Sequence, residues 1–286
     1  MSASNRYSAA ANRRPAHAAA FLLLMAFPLV SACIETPAAE LAKGGVPSAP
    51  SSPSYGAPVQ VGNGEARTYV MMQADRVVEV GVAFTEQAMF GLPAGHGDHG
   101  EDATMAPVFV PHVLEMPRGN LTPYRFVGLD WNPDGHEPHG IYGSPHFDFH
   151  FFTISRAERD AIVPADPHYA EKAANFPAPE LIPAGYVDAS ALMGVEPGAA
   201  AVPLMGMHWL DTSSPELNGE PFSKTFIVGS WDGDVIFYEP MITRDFLMTK
   251  PNHARALPTA KQGKMPSAYR VYWNAPTREY RVALEG

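Results

Sequence analysis

The chain has 286 residues, of which 20 are basic and 30 acidic, so its formal net charge is −10 at pH 7. An acidic surface repels phosphate backbones, which excludes nucleic acid as an expected partner. Cys33 is the single cysteine, which excludes internal disulfides and cysteine-based zinc sites. Any metal must therefore be held by His, Asp, Glu or Met side chains.

Residues 1–32 have the layout of a lipoprotein signal peptide. Three arginines precede any acid, and an apolar run from about residue 18 to 30 follows, too short for a spanning helix of roughly 20 apolar residues. The run ends in LVSAC at positions 29–33, which resembles the lipobox of bacterial lipoproteins. We expect cleavage before Cys33 and lipid attachment to its thiol. An ordinary secretory signal is the alternative.

The lipid predicts a location in the cell envelope, because two acyl chains anchor a protein stably to a membrane. In the lipoproteins that this segment resembles, Asp after the cysteine is associated with inner-membrane retention. Ile34 therefore favours the outer membrane if the host has one. Residues 33–66 are rich in Ala, Pro, Ser and Gly without an apolar period, which predicts a flexible linker.

Residues 67–286 predict a single all-β domain, an antiparallel sandwich or barrel with proline-rich loops and little helix. RTYVMM and RVVEVGVAFTE predict a first hairpin, and AYRVYWN with REYRVALE a last one. Further strands are expected in APVFVPHVLEMP, TPYRFVGLDWNP, HFDFHFFTIS and MGMHWLD. Short helices are expected at AMFGLP and near residues 167–174.

A central hairpin is predicted where TFIVGS and DVIFYEPMIT flank an Asp-Gly turn at 232–233. If those two residues form the loop, regular pairing places Phe226 opposite Glu239. Val235, Phe237 and Glu239 then share one face of the sheet. Glu239 at the end of that apolar face reaches either solvent or a cation.

The segment HFDFHFF contains the pattern most informative for function. Side chains alternate along a strand, so His146, Asp148 and His150 share one face and the phenylalanines share the other. Buried ionisable groups without partners are costly, and a bound cation would explain them. The alternatives are a solvent-exposed edge strand and a hydrogen-bonded His-Asp-His ladder.

Strand geometry restricts this metal site. Residues two apart are separated by roughly 6.6 Å along a strand and residues four apart by roughly 13 Å. His146 and His150 can therefore share an ion only on a curled strand, whereas Asp148 and one flanking histidine can do so easily. The other histidine would then orient a metal ligand by a hydrogen bond without binding the ion itself.

Four further residues are candidates for this site. His208, in MHWLD, and Glu239 are possible additional ligands, although a lone strand histidine is more often a core residue. His136 and Glu137, in the loop WNPDGHEPH, are candidates for a supporting or acid–base role. A solvated proline turn is the alternative for that loop.

The ligand types favour zinc, iron or manganese. Copper is less favoured, because most of the 13 methionines lie at apolar strand positions. His96, Asp98 and His99 form a weaker pattern, typical of a surface loop. No G-x-S-x-G, H-E-x-x-H, P-loop or dinucleotide fingerprint is present. The sequence therefore does not decide between an enzyme and a non-enzyme. The alternatives to a metal-binding protein without catalytic activity are a metal-dependent enzyme of cupin-like or carbonic-anhydrase-like logic and a metal-free structural protein.

The motifs PHFDFHFF, MHWLD and SWDGDVIFYEPMIT resemble a bacterial domain-of-unknown-function family of exported proteins. The segments ARTYV, VGVAFTE and WNPDGHEP also fit, and the resemblance covers roughly residues 64–250. It implies a β-rich fold and self-association to a homo-oligomer, but no reaction. His139 and the loop at 95–103 depart from the pattern of the family.

The lipobox generates a testable prediction. Cys33→Ser should leave the precursor uncleaved and without lipid, because the thiol is the acceptor of the diacylglyceryl group. Metabolic labelling with a fatty acid and partition into detergent measure both effects, with Ser48→Ala in the linker as the control. Wild-type protein that is mainly unacylated and freely soluble would contradict the prediction.

Overall fold

The computed structural model describes residues 52–95, 109–263 and 265–286. The expected signal peptide, Cys33, most of the linker and the loop with His96, Asp98 and His99 lie outside the described residues. Within the described ranges, no helix has the length and apolar character needed to cross a membrane.

The described residues form two antiparallel seven-stranded sheets, as the strand patterns predict. The first sheet contains β1 (Ser54–Tyr55), β2 (Val59–Val61), β3 (Gly64–Gln73), β4 (Arg76–Thr85), β12 (Asn252–Ala256), β13 (Ala268–Asn274) and β14 (Glu279–Glu285). Its order is β1-β3-β4-β14-β13-β12, with β2 paired to β3. The second contains β5 (Val110–Glu115), β6 (Phe126–Asn132), β7 (His146–Phe152), β8 (Tyr186–Asp188), β9 (Met207–Asp211), β10 (Lys224–Trp231) and β11 (Asp234–Thr243). Its order is β5-β6-β7-β11-β10-β9-β8.

Helices are short and lie in the connections. They are α1 (His139–Tyr142), α2 (Arg156–Asp160), α3 (Tyr169–Ala174), α4 (Ala189–Met193) and α5 (Arg244–Met248), with 3₁₀ turns at Glu86–Met89, Pro179–Leu181 and Pro215–Asn218. The helix expected near 167–174 is confirmed as α3. Three of these helices begin with a side-chain cap, as in α2, where Ser155 and Glu158 form a capping box.

The main core lies between the two sheets. Phe147, Phe149 and Phe151 of β7 are fully buried there with aromatic and aliphatic side chains of the first sheet. The ring of Phe84 on β4 lies 6.0 Å from that of Phe147 and 5.9 Å from that of Phe149, centre to centre. One face of β7 therefore belongs to the sandwich core, as its alternation predicts.

The three hairpins predicted from the sequence are confirmed, but the register of the central one differs. Trp231 pairs with Asp234 as expected, yet a bulge near Gly229–Ser230 places Ile227, not Phe226, opposite Glu239. Val235 packs against the main core, whereas Phe237 packs in a cluster on the outer face. The expectation that Val235, Phe237 and Glu239 share a face is wrong for Val235, because the bulge adds one residue to β11.

The folded domain begins earlier than the composition predicts. Strands β1 and β2 lie inside the segment assigned to the linker at 33–66, and Val61 is buried in the main core. Both strands are very short and pair only with β3, so their alternation is hidden among Pro, Gly and Ser residues.

The outer face of the second sheet is covered by its own connections. Tyr142 and Phe222 pack over Ile227 and Met241, and Ile162 packs over Phe152 and Phe237. Strand β7 is consequently buried on both faces. Its polar side chains lie in a buried layer between the sheet and these connections.

Candidate metal centre

Polar side chains from neighbouring strands meet on the outer face of the second sheet. Asn132, Asp130 and Gly128 of β6 lie opposite His146, Asp148 and His150 of β7. On the other side of β7, Met241 lies opposite Asp148, and the same register places Glu239 opposite His150. All of the polar residues in these rows are less than about a tenth exposed. They form two groups.

The first group consists of His136, His146 and Asp148. Each offers one ligand atom, and the three atoms lie within 4.8 Å of one another. His146 Nε2 lies 3.1 Å from Asp148 Oδ1, and His136 Nε2 lies 3.6 Å from Asp148 Oδ2. Two imidazole nitrogens and a carboxylate oxygen on one point form a donor set suited to zinc or to iron(II).

Each side chain of the first group makes a further polar contact that orients it. His146 Nδ1 lies 2.6 Å from the carbonyl oxygen of Ser144, and His136 Nδ1 lies 2.8 Å from that of Glu137. A carbonyl can only accept, so both Nδ1 atoms donate, which leaves Nε2 as the ligand atom of each ring. Asn132 Nδ2 donates to Asp148 Oδ2 over 2.7 Å. Such partners orient metal ligands in proteins.

The loop after β6 brings His136 back onto the sheet. Gly135 has φ +68°, and a Cβ atom there would lie 2.2 Å from the carbonyl oxygen of Tyr142. Only glycine fits this turn without strain. The backbone N–H of His136 then donates to that same carbonyl over 3.1 Å. The Asp-Gly-His sequence at 134–136 therefore aims the imidazole at Asp148.

The second group consists of His150, His208 and Glu239, whose ligand atoms also lie within 4.8 Å of one another. Glu239 Oε1 lies 3.2 Å from His150 Nε2, and Glu239 Oε2 lies 3.8 Å from His208 Nε2. Asp130 Oδ2 lies 3.0 Å from the other ring nitrogen of His150. Asp130 thus occupies the place of a carboxylate that supports a metal-bound imidazole.

An aromatic wall borders the second group. A Cβ atom on Gly229 would lie 2.1 Å from the ring of Phe237, so the missing side chain provides the space for that ring. The Phe237 ring centre lies 4.9 Å from that of His150 and 5.4 Å from that of His208. Phe237 thereby restricts both imidazoles to their present orientation.

The short distances within the groups are ion-pair contacts between imidazole nitrogens and carboxylate oxygens. Among the described residues, several buried atoms have no hydrogen-bond partner: His146 Nε2, Asp148 Oδ1, both ring nitrogens of His150, and Glu239 Oε2. Leaving a buried polar atom unsatisfied costs about 1–3 kcal/mol. The two buried groups can each hold a metal ion.

Burial and charge shift the protonation of both groups. Burial raises the pKa of Asp148, but the charges of His146 and His136 outweigh it and hold the pKa well below its usual range. Burial lowers the pKa of His136, but the interaction with Asp148 raises it to about 9. His136 is therefore a cation at neutral pH when no metal is bound.

The pKa values of the second group are shifted by burial and by the charges within that group. Burial lowers the pKa of His150, but the charges of Glu239 and Asp130 raise it to about 9. Burial and the charge of His150 lower the pKa of His208 to about 3. Burial, with the charge of Asp148, raises the pKa of Glu239 despite the opposing charge of His150. Perturbed pKa values of this kind concentrate at functional sites.

A cavity of about 560 Å³ adjoins both groups. His136, Asp148, His150, His208 and Glu239 line one side of it. Apolar residues of β9 to β11 and of the segment 199–205 also line it. The volume lies in the range of small-molecule sites. Both groups therefore face a space that can admit a ligand.

The structure divides what the sequence predicts as one shared site. His146 and Asp148 lie in one group, whereas His150, His208 and Glu239 lie in the other. The strand remains extended, so His146 and His150 are too far apart to hold the same ion. His136, expected in a supporting or acid–base role, is instead placed with the ligand candidates.

Glu137 belongs to neither group. Its side chain is 76% exposed, and its carboxylate accepts a hydrogen bond from the backbone N–H of His139 over 3.1 Å. The carboxylate also lies 3.6 Å from His139 Nε2. Glu137 lines the cavity at its edge. Nothing in its contacts orients it towards Asp148.

Sequence reasoning missed Asp130, Asn132 and Tyr142. Gly128, Asp130 and Asn132 alternate along β6 and share one face. The polar residues on that face were a signal for Asp130 and Asn132. The Tyr142 hydroxyl is buried, lines the cavity and has no hydrogen-bond partner among the described residues. It is available as a donor to a ligand, but only the folded loop brings it there.

Comparisons with protein-family models, with curated proteins and with solved structures find no match for this chain.

The shifted histidines predict how the metal-free domain responds to pH. The pKa values of His136 and His150 rise from about 6.5 to about 9 on folding, so the folded state binds more protons between these values. Their stabilisation is complete below about pH 6.5 and is lost as the pH rises towards 9. Urea unfolding in the presence of a chelator should show a falling free energy of unfolding over this range.

His150→Gln removes one of the two titrating groups and should flatten that pH dependence. His168→Ala is the control, because His168 is 65% exposed and its side chain pairs with Glu171 at the surface. A free energy of unfolding that rises from pH 6.5 to 9 would refute the protonation states described above.

Proposed function

We propose that this chain is a lipid-anchored cell-envelope protein that binds transition metal at the two His-carboxylate groups. The observation that carries the proposal is the convergence of ligand atoms, most of them buried, on two points. In the first group, His146 Nε2 and Asp148 Oδ1 have no hydrogen-bond partner among the described residues, and both imidazoles donate their other nitrogen to backbone carbonyls. A metal ion would satisfy those atoms.

Zinc, iron and manganese suit this donor set best, because imidazole nitrogen and carboxylate oxygen bind all three. Each group supplies two histidines and one carboxylate. Three protein ligands leave at least one coordination position for water or a substrate. The remaining positions would face the cavity that borders both groups.

The membrane anchor is a separate part of the proposal. It is supported by the LVSAC motif at 29–33 and by the composition of the segment that follows. About twenty residues separate Cys33 from the first strand at Ser54. A chain of this length would allow the domain to work close to the surface of the membrane.

A metal-dependent enzyme is the second candidate, and the cavity favours it. A structural metal site is usually closed by four protein ligands, whereas a catalytic site keeps an open position. Here the cavity of about 560 Å³ adjoins both groups, and the unpartnered hydroxyl of Tyr142 lines it. These are the parts that a substrate and a proton transfer require.

Metal stoichiometry tests the proposed function. Purified wild-type domain should hold up to two equivalents of zinc after dialysis. Asp148→Ala and Glu239→Gln should each lose about one equivalent, because each removes the carboxylate of one group. His168→Ala should lose none. Elemental analysis of the four proteins measures the result, and circular dichroism checks that each variant is folded.

The proposal fails if folded wild-type protein retains no metal. It also fails if Asp148→Ala and Glu239→Gln bind as much zinc as the wild type. Loss of both equivalents in either variant would show one shared site and would contradict the division into two groups.

Cobalt substitution tests the enzyme candidate. Cobalt in a centre with an open position should change its visible spectrum when azide is added, because the anion displaces a bound water. Metal removal should leave the fold intact. A spectrum that azide does not change, with a melting temperature that falls steeply on chelation, would favour a closed structural site.

A further inference from the structure

The mouth of the cavity is unusually apolar. Large hydrophobic residues with two fifths or more of their surface exposed are few in the described ranges: Phe90, Phe109, Leu121, Leu192, Met193, Val195 and Val202. Phe109, Met193 and Val202 line the cavity. Leu192 and Val195 are close neighbours of Met193 in the chain. Three of these seven exposed apolar side chains therefore belong to the cavity lining.

The cavity wall continues this apolar surface inwards. Leu204, Met205, Leu210, Ile227 and Met241 belong to its lining, together with the two polar groups. Methionine side chains adapt to ligands of different shapes. An apolar ligand body would replace water along this wall, which favours binding by the hydrophobic effect.

A guanidinium also borders the cavity. Arg159 of α2 lines it, and its side chain is 17% exposed. The Nε atom of Arg159 lies 2.8 Å from Oδ1 of Asp160, the next residue in the chain, which is 55% exposed. The charge of Arg159 also lowers the pKa of Asp130, although burial raises that pKa overall. The guanidinium thus lies near the second group and can receive an anion.

We propose that the cavity binds a small amphiphile with one carboxylate and an apolar body, such as a medium-chain fatty acid. The carboxylate would pair with Arg159, whose planar guanidinium matches a carboxylate in two parallel hydrogen bonds. The apolar body would lie along the methionine and leucine wall and would enter across the exposed apolar mouth. This inference extends the proposed function by naming the ligand of the same cavity, but binding at Arg159 requires no metal.

The experiment is a calorimetric titration of the zinc-loaded and the chelated protein with hexanoate, decanoate and decanol. Burial of one methylene increases affinity by about three- to fourfold. Decanoate should therefore bind at least tenfold more tightly than hexanoate. It should also bind at least tenfold more tightly than decanol, because decanol lacks the charge that pairs with Arg159.

Substitutions in helix α2 separate the contribution of Arg159 to binding from that of the apolar wall. Arg159→Gln should abolish the preference for decanoate over decanol but retain the dependence on chain length. Arg159→Lys should keep part of the preference, since the charge remains. Arg156→Gln is the matched control: Arg156 pairs at the surface with Glu115, and its side chain is 54% exposed. Thermal melting shows whether each variant is folded.

Equal affinities for hexanoate and decanoate would overturn the inference, because the apolar wall would then not bind the ligand. A folded Arg159→Gln variant that still prefers decanoate would also overturn it. Decanoate binding that disappears on chelation would assign the carboxylate to the metal instead of Arg159. Conversely, decanoate binding by a protein that retains no zinc would support the inference while the proposed metal function fails.

Discussion

The structure depends on the different roles of the two faces of β7, of which one packs in the hydrophobic core and the other carries polar side chains. The phenylalanines at 147, 149 and 151 fill the centre of the sandwich, where Phe84 of the opposite sheet packs against two of them. This packing holds the strand in place, so its other face carries His146, Asp148 and His150 at fixed spacing. A site built on a rigid strand is positioned more accurately than one built on loops.

Burial of the polar face lowers the free energy of unfolding, and packing of the aromatic face must offset that loss. Several ionisable side chains lie in one buried layer, and some of their atoms have no hydrogen-bond partner among the described residues. Proteins rarely retain such an arrangement for stability, since buried charges are expensive even when paired. Without metal, protons on His136 and His150 compensate part of the negative charge of the carboxylates. Consistent with this balance, metal and protons would compete for the same atoms.

Local pattern was sufficient to predict the longer strands and the two faces of β7, but not the shorter strands β1, β2, β8 and β12. The hairpins and the all-β class follow from alternation and turn residues, which act over a few positions. The grouping of the site residues could not be predicted in this way. His136 reaches Asp148 only because a loop of about a dozen residues folds back, and Asp130 meets His150 only through the pairing of β6 with β7. Both depend on contacts that no single segment contains.

The bulge in the central hairpin has a consequence for how this sequence can vary. With regular pairing from the turn, Glu239 would lie opposite Phe226 and face the aromatic core between the sheets. The extra residue in β11 reverses the face, so Glu239 lies opposite Ile227 and reaches His150. The position of this carboxylate is thus determined by the number of residues that separate it from the turn. Deleting a single residue there would move an acid into the core and remove the second group, even if every ligand side chain were kept. Chains that share the HFDFHFF pattern but differ in length at this hairpin are therefore not equivalent to this one at the site.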